Sequence, residues 1–285
     1  SLVIISLKFP TCTSPLVVIH VGNFREIITS ELVARALKSA GKEVRFIYSW
    51  DDYDVFRKVP KGMPNQDMLV KHLRQPICDV PDPFEKDKSY ADHNIQKLET
   101  SLKPVGVKPE FLYQHEKYRA CEYVNGIKKA LLNAPKIREI LNKFREEPRP
   151  DTWLPLFLYN PDTNTDDVID PKWDGDDVIS FSDSAGKNHE LKISEGKCIA
   201  LPWRVDWPMR WAHEEVDFEP GGKDHSSPGG SFDTGKMISK EVYGFDAPVY
   251  IMYDFVRIKG GDGKMSSSSG NATLLGDFLR VYEPA

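Results

Sequence analysis

The 285-residue sequence predicts an α/β fold, a parallel sheet flanked by helices and interrupted by an inserted α+β subdomain. Three observations predict it. An apolar run, a helical stretch and an alternating segment follow one another before Trp50, the strand–helix–strand order that joins parallel strands. A long charged segment with helical periodicity comes next. Between Asp151 and Cys198 the text becomes acidic and rich in turn residues, the pattern of short antiparallel strands joined by polar turns.

Leu16–Ile19 reads as the first strand. The stretch Asn23–Ala40 then sets Phe24, Ile27, Ile28, Leu32 and Ala36 at helical spacing, and Gly41 ends it. In Glu43–Trp50, Val44, Phe46 and Tyr48 stand at alternate positions, as a strand requires. Within the charged segment from Asp87 to Phe144, Ile137, Ile140, Leu141 and Phe144 form an apolar stripe, which marks packing helices. After Leu201 come Trp203, Trp207 and Trp211, a Gly-rich stretch from Gly221 to Gly235, a strand over Val249–Ile258 and the loop GGDGKMSSSSG. The expected partition is 1–75 for the first half of the main domain, 76–200 for the inserted helical and small β subdomain, and 201–285 for the second half.

Composition narrows the function. With 40% hydrophobic residues the chain can bury a core, and no apolar run approaches the roughly 20 residues of a membrane helix, so no membrane partner is expected. The opening Leu2-Val3-Ile4-Ile5 is too short for a signal core. Lys+Arg 38 against Asp+Glu 43 gives a net charge of -5, which argues against DNA binding through bulk charge and leaves nucleic acid to local patches. Cys12, Cys78, Cys121 and Cys198 lie far apart with no CxxC pair, which points to a reducing, cytoplasmic setting.

Two segments could carry chemistry. His20-Val21-Gly22-Asn23 sits at a strand-to-helix junction, where a parallel sheet binds nucleotides; Gly22 permits close backbone approach and the helix N-terminus attracts phosphate. Taken alone, the four residues read as a turn with a surface histidine. Lys264-Met265-Ser266-Ser267-Ser268, flanked by glycines, offers one cation and a row of hydroxyls to a leaving pyrophosphate. Taken alone, it is equally a solvated serine loop. Gly230–Lys236 fits GxxxxGK, so a P-loop-like nucleotidase is a competing reading; Met237 counts against it, because that position must supply a hydroxyl to Mg²⁺. His72, His93, His115, His189 and His213 have no partner at metal-ligand spacing.

HVGNFRE, FIYSWDDYDVFRKVPKG, LPWRVDWPMRW, VDFEPGGKDH, FDTGK and IKGGDGKMSSSSGN, in that order and spacing, resemble class I lysyl-tRNA synthetases from about residue 12 to the C-terminus. The resemblance implies a Rossmann-type catalytic core that activates lysine with ATP and Mg²⁺ to lysyl-adenylate, for transfer to tRNA-Lys. It implies that His20 and Asn23 contact the ATP phosphates and that Gly22 lies against them. Gly222 and Asp224 would hold the ribose and His225 would border the amino-acid pocket, while Lys264, Ser266, Ser267 and Ser268 would bind the β- and γ-phosphates. An ammonium side chain asks for a carboxylate and an aromatic face. Asp51, Asp52 and Asp54, with Trp207 or Trp211, are the candidates, against an exposed turn and a core cluster as the plainer readings.

The sequence departs from the family in places. Ser14-Pro15-Leu16-Val17 stands where the family has a Thr-Pro-Ser-Gly-like loop, leaving Ser14 as the substrate-binding hydroxyl, and Cys12 stands where a glycine is usual. Ser269 replaces a second lysine. The inserted region has no cysteine from Tyr159 until Cys198, which argues against a structural zinc. No anticodon-reading helical domain follows Ala285, so tRNA-Lys is expected to bind weakly; a synthetase-fold binding module with lost or weakened activity is the remaining alternative. Lys128, Lys129, Lys136 and Arg138 are a candidate tRNA track or a solvated helix face.

Overall fold

Alternation in Glu43–Trp50 builds strand β2, and its last five residues are all buried, which requires cover on both faces of the sheet. The structure, a computed structural model, describes residues 2–9, 21–254, 256 and 275–281. Strand β1 (Leu2–Phe9) and β3 (Glu110–Tyr113) both pair with β2 in parallel. With β9 (Phe218–Gly222) and β10 (Val249–Tyr253) they form a five-stranded sheet in the order β10-β9-β1-β2-β3. Helix α1 (Val21–Ser39) connects β1 to β2 and packs on both, burying Ile27 and Ala34.

The first strand is Leu2–Phe9, whereas the expected strand Leu16–Ile19 lies outside the described residues. Leu2-Val3-Ile4-Ile5 is too short for a membrane yet long enough for a buried parallel strand, and Ile5 is fully buried. Helix α1 and β2 fall within two residues of their expected bounds. The last strand is described over Val249–Tyr253; residues 257 and 258 lie outside the described region.

The chain divides into two compact units, one of residues 1–114, 219–222 and 251–285 and the other of 115–218 and 223–250. These bounds differ from the expected insertion at 76–200. Helices α2 (Gln66–Lys71) and α3 (Tyr90–Leu102) stay with the sheet, because β3 adds to β2 and the Glu99 carboxylate on α3 accepts bonds from Trp50 and Tyr113. Short helix α9 (Leu275–Phe278) packs on α1.

In the second unit, α4 (Gln114–Arg119), α5 (Val124–Leu132) and α6 (Ala134–Asn142) precede the β segments. Ile127, Ile137, Ile140 and Leu141 are buried, but Phe144 lies beyond the end of α6 and is 46% exposed, so it leaves the expected stripe. Short strands β4 (Phe157–Leu158) and β8 (Ile199–Ala200) pair with each other. The acidic segment forms the expected antiparallel sheet, β5 (Ile169–Trp173), β6 (Val178–Ser182) and β7 (Asn188–Lys192). Helices α7 (Trp203–Glu214) and α8 (Ser231–Ile238) pack together and continue into a π-helical turn, Ser239–Tyr243. Gly235 and Lys236 lie inside α8, where backbone N–H groups beyond the first turn are spent on the helix. No phosphate cradle is formed there, and the P-loop reading is overturned.

No described helix is long and apolar enough to cross a membrane.

A 3-10 turn, Ile193–Glu195, ends on Gly196 at φ +63°, and a β-carbon there would meet the Tyr118 carbonyl at 2.4 Å. Gly196→Ala therefore combines left-handed strain of about 1–3 kcal/mol with a backbone clash. The expected result is a lower urea midpoint with an unchanged slope.

Candidate functional site

In the first unit the site begins where β2 ends. Asp51 is 8% and Asp52 2% exposed, and Asp54 is half-buried. The cluster is therefore not an exposed turn: the Asp54 carbonyl accepts the Ile77 N–H at 2.8 Å, which folds the following segment back over it. Burial, with the charges of Glu26, Asp51 and Glu99 nearby, pushes the Tyr48 hydroxyl well above its ordinary value. Glu26 on α1 accepts a hydrogen bond from the Tyr253 hydroxyl at 2.5 Å, and Arg25 donates to the Asp254 carbonyl at 2.8 Å, so α1 is tied to the end of β10. Ser49 accepts from Gln114 at 2.7 Å.

Helix α7 organises the second unit. Its residues at every fourth position, Trp203, Trp207 and Trp211, stack in succession, with ring centroids 6.0 and 4.8 Å apart. His225 stands edge-on to Trp203 and Trp207 at 5.7 and 5.9 Å. Its Nδ1 lies 3.3 Å from the Ser231 hydroxyl, and its carbonyl accepts the Phe232 N–H. Gly230 makes this turn possible, since a β-carbon there would sit 2.6 Å from the Ser227 carbonyl oxygen. Phe232 stacks on Tyr250 at 3.7 Å, and the Tyr250 and Ser226 hydroxyls are 2.9 Å apart. The result is an aromatic wall with a half-buried imidazole at its edge.

The adjacent stripe of α7, Asp206, Arg210 and Glu214, is held by charge. Tyr118 donates to Asp206 at 2.5 Å, Asp206 pairs with Arg210 at 2.6 Å, and the Leu201 N–H donates to the Tyr118 oxygen. At the far end Lys117 pairs with Glu214 at 3.2 Å.

Of the expected residues, His20, Ser14, Lys264, Ser266, Ser267 and Ser268 lie outside the described region. Gly22 and Asn23 lie in the first turn of α1. Gly222 ends β9, and Asp224 and His225 follow it in the turn. Trp207 and His225 are brought together, as are Asp51 and Asp52. Glu26, Tyr253, Glu99 and Gln114 were missed by sequence reading, because none belongs to a motif and their partners lie far along the chain.

The candidate tRNA track resolves into ion pairs. Lys128 meets Asp176 and Asp177, Lys136 meets Glu139 and Glu241, Arg138 meets Asp151, and Lys129 donates to the Tyr243 carbonyl. Carboxylates thus pair with Lys128, Lys136 and Arg138 on α5 and α6, while Lys129 meets a carbonyl oxygen. A further cluster, Asp82, Asp87 and His93, brings three possible metal-donor atoms within 4.8 Å of one another. Asp82 accepts the N–H groups of Phe84, Lys86 and Asp87, and His93 Nδ1 lies 2.8 Å from Asp87, so the cluster staples its loop onto α3.

The sequence matches the family of class I tRNA synthetases for lysine over residues 6–285. The chain belongs to this family. It is 45% identical to the lysine–tRNA ligase of Treponema pallidum over 96% of its length, covering 53% of that protein. It is 47% identical to those of Borreliella burgdorferi and Pyrococcus horikoshii over 93% of its length, covering 51% of each. The chain thus spans about half the length of these curated relatives. The fold of this class I member also matches a methionyl-tRNA synthetase of Mycobacterium tuberculosis in complex with methionyl-adenylate, at 11% identity and a TM-score of 0.54, over 100% of this chain and 62% of that one.

Beside β2, burial raises the Glu99 carboxyl above its ordinary value of 4.5, against the bonds from Tyr113 and Trp50 that favour its charge. Between 4.5 and the raised folded value the native state binds more protons than the unfolded chain, so stability falls as pH rises through that window. Glu99→Gln keeps an acceptor for both donors and removes the buried charge. The expected outcome is a higher urea midpoint at pH 7 and a flatter profile above pH 4.5, read by denaturation across pH.

Proposed function

We propose that this chain is the catalytic core of a class I lysyl-tRNA synthetase, which joins lysine to ATP as lysyl-adenylate and passes the lysyl group to tRNA-Lys. The observation that carries this reading is the family match over residues 6–285 together with both signature segments, His20-Val21-Gly22-Asn23 and Lys264-Met265-Ser266-Ser267-Ser268. ATP enters as its Mg²⁺ complex, a substrate. A lysine carboxylate oxygen attacks the α-phosphorus, the bond to the bridging oxygen breaks, and pyrophosphate leaves with the electron pair. A terminal ribose hydroxyl of the tRNA then attacks the adenylate carbonyl, loses its proton and expels AMP. The work is cytoplasmic.

In this reading His20 and Asn23 hold the phosphates with Gly22 against them, and Gly222 and Asp224 take the ribose. Lys264 with Ser266, Ser267 and Ser268 stabilises the departing pyrophosphate, where charge develops. Ser14 and His225 border the amino acid. Buried Asp51 and Asp52, with Asp54, are the anions that an ammonium seeks; Trp207, 5% exposed, packs between Trp203 and Trp211 in the second unit. The partition into catalytic halves at 1–75 and 201–285 is kept as the division of these roles along the sequence, not of the compact units.

Lysine-dependent exchange of labelled pyrophosphate into ATP tests the proposal. Exchange that requires lysine supports it; phosphate release without an amino acid, or no exchange, counts against it. Lys264→Ala is expected to lower the exchange rate on the order of 10²-fold while changing the KM for ATP far less. Equal losses would place Lys264 in ground-state binding instead.

A further inference from the structure

Apolar spacing puts Phe144 on the packing stripe of α6, but the residue stands past the end of that helix and is 46% exposed. The covered part of its ring meets a residue far along the chain. A β-carbon on Gly229 would fall 2.4 Å from Phe144 Cδ1, 2.8 Å from Cγ and 3.0 Å from Cε1, so the ring edge fills the space that a side chain at 229 would need. Gly229 is also held at φ +71°, a left-handed backbone that favours glycine. Conformation and contact both require glycine there.

Gly229 belongs to the turn that runs from Lys223 into α8. The Ser226 N–H donates to the Lys223 carbonyl at 3.2 Å, the Gly230 N–H to the Ser227 carbonyl at 2.7 Å, and the Gly229 N–H to the Asp233 carboxylate at 3.1 Å. Ser227 and Pro228 at its tip are exposed. Asp224 and His225, which the synthetase reading gives to the ribose and the amino-acid pocket, lie in the same turn, with Asp224 Oδ1 4.0 Å from His225 Nε2. Exposed turns with few apolar contacts open readily, and a site that must close around its ligand binds more weakly than one already closed. Phe144 brings an apolar contact from the end of α6 to the residue just after the exposed tip. We propose that Phe144 is a positioning residue: by pressing on Gly229 it keeps the 223–230 turn in the conformation that presents Asp224 and His225. It acts through the glycine rather than through contact with substrate. The proposal deepens the synthetase reading and rests on it for the identity of the ligands as ATP and lysine.

Hydrogen exchange of the purified chain without ligand, read by mass spectrometry, follows the turn directly. In Phe144→Ala the amides of 225–232, the Gly230 and Phe232 donors among them, are expected to exchange about tenfold faster or more, while those of β6 and β7 in the same unit keep their rates. Phe144→Tyr keeps the ring edge and is expected to restore slow exchange. Phe144→Leu keeps apolar bulk without the flat edge, and gives the same readings in between should Phe144→Ala fail to fold. Affinity for ATP and for lysine, measured by calorimetry, and the KM for each in pyrophosphate exchange are expected to weaken about tenfold in Phe144→Ala, with kcat changed far less, because the turn has the same geometry once it has closed on its ligand. Phe144→Tyr is expected to recover both. A purely structural role would instead speed exchange across the whole unit and lower the thermal midpoint with KM level, and that result overturns the proposal. So does unchanged exchange at the turn in the alanine and leucine variants, or a loosened turn with affinity and KM unchanged for both ligands. Phe144-dependent ordering of the turn and Phe144-dependent ATP affinity in a chain without pyrophosphate exchange support the positioning role and count against the synthetase reading alone.

Discussion

The second unit depends on one buried carboxylate. Asp206 is 6% exposed inside α7, a setting in which a lone negative charge is costly, and it is kept there by the Arg210 guanidinium one turn on and by the Tyr118 hydroxyl from α4. Burial, followed by the Asp206 charge, holds the Tyr118 hydroxyl well above its usual range, so it remains a donor throughout the stable range of pH. The Tyr118 oxygen also accepts the Leu201 N–H, just before α7 begins. A single side chain thereby fixes the start of the helix and its rotation about its own axis. Removing one partner of such a pair costs about 3–5 kcal/mol, because the remaining charge stays buried.

With the rotation of α7 set, its tryptophan stripe has one direction. Trp207 and Trp211 pack against Phe232 on α8 at 6.3 and 5.7 Å, and Trp203 and Trp207 meet His225. The same rotation sets Arg204 over the Trp203 ring with its guanidinium against the Thr234 hydroxyl on α8. Both stripes of α7 are buried: the Asp206–Arg210 pair holds one, Trp207 and Trp211 pack into the core on the other, and Trp203 and Arg204 at its start are half-buried.

The first unit follows a different logic. Its acidic groups gather at the end of a parallel strand, where β2 stops and Asp51 and Asp52 turn inward. Glu26 and Glu99 come from helices on either side in sequence and are satisfied by Tyr253, Trp50 and Tyr113.

The sequence by itself determined the local structure and the family. Periodicity set α1 and β2 nearly to the residue, because each buries one face and its apolar spacing is dictated by helix and strand geometry. The turn-rich acidic text encoded β5, β6 and β7, and the order of short motifs named the class, since those positions answer to a substrate rather than to packing. Other matters were decided by tertiary structure. Leu2–Phe9 became a strand through pairing with β2, Phe144 was left outside its helix, and GxxxxGK was absorbed into α8. The compact units cut across the expected insertion because β3 and β9 add to the sheet from distant positions in the chain. Whether a basic residue forms an ion pair was also settled there: Lys128 and Lys136 found carboxylates, while Arg149 stacked on the Trp153 ring. Hydrogen bonds and ion pairs join residues that sequence spacing does not relate, so their partners appear only when the chain is folded.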